Sequence, residues 1–264
     1  MVYKDIRKKA RESLEGKWSK AVTIILANIS IFLLFIFIEE IGIKIFGDNT
    51  LIVGVIEVLY IIIEVALNLG LTFSLIKLKK NEEVKAYDFV KIGFDKINKA
   101  WGLALSIFFR MIIPIIILIV SIAFIISASF FIMRTGIFYI MGEGEIIFNE
   151  VRIGIIYGII GLIGCLIDSI IITILSLAYS QMYFIAYDNP DMSCKDIVKK
   201  SAELMKGHKG QLFVLELSFF GWIFLSVLSM GIGFIWLYPY MMFATMHFYD
   251  EISNVEKAEQ EKVE

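Results

Sequence analysis

The sequence predicts an all-α, polytopic membrane protein with six transmembrane helices in three hairpins, each hairpin preceded by an amphipathic helix at the cytoplasmic interface. Three observations carry this expectation. Of 264 residues, 58% are hydrophobic and 20% charged, and the mean hydropathy is +0.79, too apolar for an ordinary water-soluble domain. Apolar windows recur at the ~20 residues that a hydrocarbon core of ~30 Å requires. Basic residues gather between alternate windows. The same composition excludes disordered and collagen-like chains, and two cysteines cannot make a disulfide framework.

Lys4, Arg7, Lys8, Lys9 and Arg11 precede the first window, 19–38. That window is too long for a signal peptide and is followed by Glu39-Glu40 instead of a small-residue cleavage site, so it reads as a retained transmembrane helix. The next windows are 51–76, 103–133, 153–180 and 211–230. A sixth, 233–249, is shorter and wetter, and Gly231-Ile232-Gly233 leaves room only for a tight turn before it. Of the 25 lysines and arginines, seven fall in 1–20, seven in 77–99, five in 188–210 and two in the tail. Lys44, Arg134 and Arg152 alone occupy the alternate segments, and Arg110 lies inside a span. Cytoplasmic flanks retain Lys and Arg, so six crossings put both ends of a single membrane domain, 1–264, in the cytoplasm.

A layout repeats three times: a basic amphipathic segment, a Gly or Trp break, then a hairpin. Tyr3, Ile6, Ala10 and Leu14 lead to Gly16-Lys17-Trp18; Val90, Phe94 and Ile97 lead to Trp101-Gly102; Ile197, Ser201 and Leu204 lead to Gly207-His208-Lys209-Gly210. Such spacing suits helices lying in the headgroup plane, where lysines between the apolar positions would meet anionic lipid. Arg134 to Arg152 reads as an external loop around Gly142-Glu143-Gly144-Glu145, solvated and not a cation-binding turn. The stretch from Leu175 to Tyr187 is expected to continue the fourth helix along the interface until Asp188-Asn189-Pro190. Residues 250–264 carry six acids and two lysines and read as a solvated tail. Cys165 and Cys194 should not meet.

Charges at bilayer depth must face protein or water. Glu57, Glu64 and Asn68 form one stripe on the second span, because i, i+7 and i+11 fall on one face at about 100° per residue. Gly154, Gly158, Gly161, Cys165 and Asp168 form a small-residue face on the fourth, which turns Asp168 inward. Arg110 stands four residues before Pro114, which has no N–H to donate to its carbonyl. Glu216 lies nearer the cytoplasmic surface. The first reading of Glu57, Glu64, Asn68, Arg110 and Asp168 is an ion pair that fixes helix register. A proton or cation path, or a lipid or hydrophobic-peptide site around Arg110, are the alternatives. Trp222, Trp236, Tyr238 and Tyr240 read as core packing ahead of a ligand pocket. Gly221 is expected to allow close packing there, and Gly207 to end the third amphipathic helix.

No zinc, nucleotide-binding or nucleophile-elbow motif occurs, so neither enzymatic activity nor a metal or cofactor is expected. A net charge of −2 argues against a nucleic-acid partner.

Near the end of the chain stand Tyr179-Ser180-Gln181, Asp188-Asn189-Pro190 and Ser201-Ala202-Glu203-Leu204-Met205-Lys206-Gly207-His208. Leu217-Ser218-Phe219-Phe220-Gly221-Trp222, Gly231-Ile232-Gly233, Trp236-Leu237-Tyr238-Pro239-Tyr240 and Phe248-Tyr249 follow. With Arg7 to Trp18 and Leu69-Gly70-Leu71 to Phe94, these strings resemble the bacterial integral membrane family catalogued as domain of unknown function 975. The resemblance implies a bacterial plasma membrane location, several helices and no assigned activity. Relatives often carry a Pro-Gly break before the Tyr179 region; here Leu177-Ala178 stands in its place, and the helix is expected to run on. The functional expectation is a non-enzymatic scaffold or accessory protein that meets the bilayer and a protein partner through its amphipathic helices. The alternative is a proton- or cation-coupled transporter or channel using the acidic stripe, with Arg110 as counter-charge.

Overall fold

A computed structural model describes residues 3–47, 50–141 and 144–260, and the regular elements among them are all α-helices. In order they are α1 (Tyr3–Leu14), α2 (Trp18–Phe46), α3 (Thr50–Lys79), α4 (Asp88–Asp95), α5 (Ile97–Met141) and α6 (Gly144–Tyr179). Then come α7 (Met182–Asp188), α8 (Cys194–Leu204), α9 (Lys209–Leu217), α10 (Phe220–Leu228) and α11 (Phe234–Gln260). The chain divides into two compact units: Met1–Ser106 with Leu177–Glu264, and Ile107–Ser176.

Five segments are long and apolar enough to cross a bilayer: Trp18–Ile45, Leu51–Lys79, Ile97–Gly136, Asn149–Asp188 and Lys209–Leu228. The chain is therefore a membrane protein, and these segments match the first five expected windows. The fifth is not one continuous helix, because Ser218 and Phe219 separate α9 from α10. Arg7 Nη1 donates to the Ser218 carbonyl at 3.0 Å, which gives that oxygen a partner outside the helical ladder. Phe219, 1% exposed, packs under the Arg7 guanidinium at 5.0 Å and edge-on to Tyr240 at 5.1 Å. The sixth window falls within α11, which contains Pro239.

In the larger unit the largest fully buried side chains include Ile6, Leu14, Phe89, Ile197, Phe243 and Phe248. Ile6, Ala10 and Leu14 of α1 are buried, as are Ile197, Ser201 and Leu204 of α8, so the predicted apolar faces are right. What covers them is the chain itself, chiefly α11 for α1 and α7 for α8, and not lipid headgroups. For α4 the predicted face is wrong. Phe89 and Gly93 are buried while Phe94 is 44% exposed. A Cβ on Gly93 would stand 2.3 Å from the Ala66 carbonyl oxygen, and one on Gly70 would stand 2.0 Å from that of Phe89. Two helices in backbone contact leave no room for a face of larger residues. The expected break at Trp101-Gly102 is also absent, because α5 starts at Ile97 and runs through it. Gly102 lies instead against Cys194, whose Sγ would be 2.6 Å from an added Cβ. Both cysteines are free.

Three other expectations are corrected. The fourth helix does not run on: α6 ends at Tyr179, and Ser201 Oγ donates to the Ala178 carbonyl at 2.9 Å beside the buried Gln181. The tail is not a solvated extension from Asp250, because α11 continues to Gln260 with Ile252 1% exposed. Lys9 pairs with Glu251 at 2.6 Å, and Lys79 with Asp250. The external loop is mostly helix, since α5 reaches Met141 and α6 starts at Gly144. The acidic turn at Gly142-Glu143 lies outside the described residues. Gly207 is not the C-cap of α8: the helix ends at Leu204 with Met205 as its cap, and Gly207, at φ +79°, lies in the turn that leads to α9. Nothing stands within 4 Å of a Cβ on Gly221, whereas one on Gly233 would lie 2.5 Å from Ser226 Oγ, so the close approach of α10 and α11 is at Gly233.

The smaller unit is the α5–α6 hairpin. Its seam is the predicted small-residue face: a Cβ on Gly161 would lie 2.8 Å from the Ser121 carbonyl oxygen, and one on Gly164 2.2 Å from Ser121 Oγ. Tyr157 packs edge-on to Phe124 and Phe131 at 5.4 and 5.6 Å. Two helices have no interior beyond their seam, and the remaining isoleucines and leucines are largely exposed on the flanks.

Candidate functional site

The polar stripe on α3 faces two hollows. Glu64 and Asn68 line a cavity of about 410 Å³ between α2, α3 and the start of α11. Glu57, two turns before Glu64, lines a smaller recess of about 60 Å³ with Glu39 of α2. Tyr60 borders both. The helical spacing thus puts the three stripe residues on one side of α3, as expected.

The larger cavity also holds Asn28 of α2 and Tyr238 of α11, which the sequence reading did not connect to the stripe. Asn28 is a lone amide within the apolar window 19–38, a signal of the kind that singled out Asn68. Tyr60 is held by Phe35 at 5.0 Å and Phe32 at 6.1 Å. Thr72 Oγ1 donates to the Asn68 carbonyl at 3.0 Å, a back-bond that occupies a threonine hydroxyl inside a helix. Among the described residues Glu64 has no ion-pair partner. One carboxylate, two amides and two phenols in apolar walls can accept a proton, a cation or a hydrogen-bonding ligand. No group of three or more metal-ligating side chains occurs among the described residues.

Arg110 and Asp168 belong to the smaller unit. Asp168 is 1% exposed, and its Oδ1 accepts no hydrogen bond among the described residues. The α5–α6 register that sets Gly154 against Ala128 and Gly164 against Ser121 brings Asp168, one turn further, to the level of Ile117. The small-residue face thus carries Asp168 into the seam. Glu216 stands one residue before the end of α9 and lines neither hollow.

The aromatic cluster is not a core. Trp222 is 53%, Trp236 51% and Tyr238 36% exposed. Trp222, Trp236 and Tyr240 border a second cavity of about 430 Å³, together with Trp18, Arg7 and Arg11. The sequence reading missed it because the arginines stand more than 200 positions before the tryptophans.

No curated protein and no solved structure matches this chain. One family profile does, over residues 1–256, which takes in the amphipathic helices, both helical units and most of α11. The chain belongs to the family described as protein of unknown function DUF975.

Proposed function

We propose that this chain is a non-enzymatic scaffold or accessory protein of the bacterial plasma membrane, acting through α1, α4 and α8 at the cytoplasmic face. The observation that carries the reading is the contrast between its two ends. The amphipathic helices bury their apolar faces in a packed layer and turn Lys8, Lys195, Lys199 and Lys206 outward. The apolar windows of the five long segments are only 11–22% buried. A rigid basic platform on helices that leave their flanks to lipid or other chains suits a protein that positions partners. Both ends lie on one side in this reading, because α1 packs on α11. The test is a photo-crosslinking residue at Glu203, beside Lys199, in cells. A discrete adduct is expected to disappear when Lys199, Lys200 and Lys206 are changed to glutamate while insertion stays normal; an unchanged adduct pattern overturns the reading.

The cavity of Asn28, Glu64 and Asn68 favours a second reading, a proton- or cation-coupled transporter or channel. Its test is ion flux in proteoliposomes, wild type against Glu64→Gln, with monodisperse elution of both proteins. Flux lost in the variant supports a path along the stripe; silence in both leaves the stripe as architecture.

A further inference from the structure

The second cavity is built differently from the first. Its mouth carries Arg7 and Arg11, one helical turn apart on α1; its walls are Trp18, Trp222, Trp236 and Tyr240. None of its lining residues is acidic. Among the described residues neither arginine pairs with a carboxylate. Two cations side by side without a counter-charge repel each other and attract an anion.

Arg7 is already oriented. Its Nη1 donates to the Ser218 carbonyl at 3.0 Å, its Nε reaches Tyr240 Oη at 3.5 Å, and Tyr240 Oη donates back to the Arg7 carbonyl at 3.2 Å. A guanidinium fixed through two of its nitrogens loses little freedom when the rest of the fork meets a phosphate. Arg11 is exposed, free to close over the same group.

The walls suit the other half of an amphiphile. Trp222 and Trp236 leave about half of their large surfaces exposed. No tryptophan Nε1 in the cavity has a hydrogen-bond acceptor among the described residues. An indole with one apolar and one polar end fits the membrane interface, where its ring meets an acyl chain and its N–H an ester or phosphate oxygen. The floor, the end of the lining away from Tyr240, is where Gly233 meets Ser226, an approach that any side chain on Gly233 would block. From Tyr240 at the mouth to Gly233 at the floor α11 rises about 10 Å, which accommodates the upper part of one acyl chain in a hydrocarbon core of ~30 Å.

We propose that this cavity binds an anionic membrane phospholipid, its phosphate held by Arg7 and Arg11 and an acyl chain lying between Trp222 and Trp236. The site is independent of the scaffold reading, because it rests on the cavity between α1, α10 and α11 and not on the outward lysines. A second protein chain would offer apolar cover to the tryptophans but needs an acid of its own for the arginines; the lipid supplies both parts in one molecule and is present wherever the protein is.

The test is tryptophan fluorescence of the full chain in liposomes, quenched by brominated phosphatidylglycerol or, at equal mole fraction, by brominated phosphatidylcholine. Anionic lipid is expected to quench at about fivefold lower mole fraction per arginine engaged. Arg11→Gln should remove most of that preference with elution still monodisperse, and Arg11→Lys should retain part of it. Trp222→Phe with Trp236→Phe should remove most of the anionic-lipid preference in the quenching, leaving the signal of Trp18 and Trp101. Equal quenching by the two lipids in the wild type overturns the proposal. So does a preference untouched by Arg11→Gln and by Arg7→Gln with Arg11→Gln, which would place it on the general basic surface. Release of the quenching by millimolar glycerol 3-phosphate would identify a site for soluble phosphates and overturn the lipid assignment.

Discussion

At the scale of single residues, glycines decide where this fold is tight. Gly70 and Gly93 let α3 and α4 meet backbone to backbone, and Gly233 does the same for α10 and α11. At Gly221, whose neighbourhood in the sequence is just as aromatic, an added Cβ would meet nothing within 4 Å. A methyl group at Gly93 must displace the Ala66 carbonyl, which belongs to a helix and cannot yield alone. Gly93→Ala is therefore expected to destabilise the protein by about 1–3 kcal/mol, read as a lower thermal midpoint in detergent, while Gly221→Ala leaves the stability within about half a kcal/mol of the wild type's and the midpoint close to it. Equal midpoints for the two variants would refute the backbone-contact interpretation of α4. The polar stripe was legible because a helix repeats its faces every few residues. Asn28 and Tyr238 were not linked to it, because which helices share a cavity depends on tertiary packing that periodicity does not encode.

At the scale of elements, the long apolar segments were legible and their ends were not. Hydropathy marks the core of a span, but a helix continues past it as long as its next turn finds contacts. The tail is the clearest case. Residues 250–264 look solvated by composition, yet Ile252 follows Phe248 by one turn and drops into the same core, while Asp250 and Glu251 meet Lys79 and Lys9. The Glu251 partner holds the Lys9 ammonium above its usual range, through the hydrogen bond first and the charge second. Such exposed pairs contribute little by themselves, so the apolar anchor carries the docking. Ile252→Ala is expected to lower stability by about 2–4 kcal/mol, measured by thermal unfolding in detergent, and to raise protease sensitivity of α11. Glu251→Gln should change the midpoint far less. A tail that tolerated Ile252→Ala without loss would be the solvated extension after all. The breaks at Ser180-Gln181 and Ser218-Phe219 were hidden for the related reason that their partners, Ser201 and Arg7, are distant in sequence.

At the scale of the whole molecule, the contact between α1 and α11 fixes a parity. Lys9 meets Glu251, and Ser13 Oγ lies 2.9 Å from His247 Nε2, so the first and last helices are expected to share one side of the bilayer, which requires an even number of complete crossings. The α2–α3 and α5–α6 hairpins, long and apolar enough to cross, would supply four. The remaining pair is short. Arg7 ties Ser218 to a helix whose Lys8 and Lys9 side chains are 70% and 53% exposed, which holds that level near the polar surface. From Phe219 to Leu228 the chain advances about 15 Å at 1.5 Å per residue, half of a core of ~30 Å. The turn at Met230 and Gly231, both with positive φ, is therefore expected to end inside the near half of the membrane, giving four crossings and a re-entrant hairpin. Met230→Cys, at a position 94% exposed, distinguishes this from six crossings. A membrane-impermeant maleimide applied from the side opposite the chain ends should leave it unlabelled, whereas six crossings would present it there for rapid labelling. A half-depth hairpin also places Trp222 and Trp236 in a single leaflet beside Arg7 and Arg11, where one headgroup and its acyl chain can reach them together.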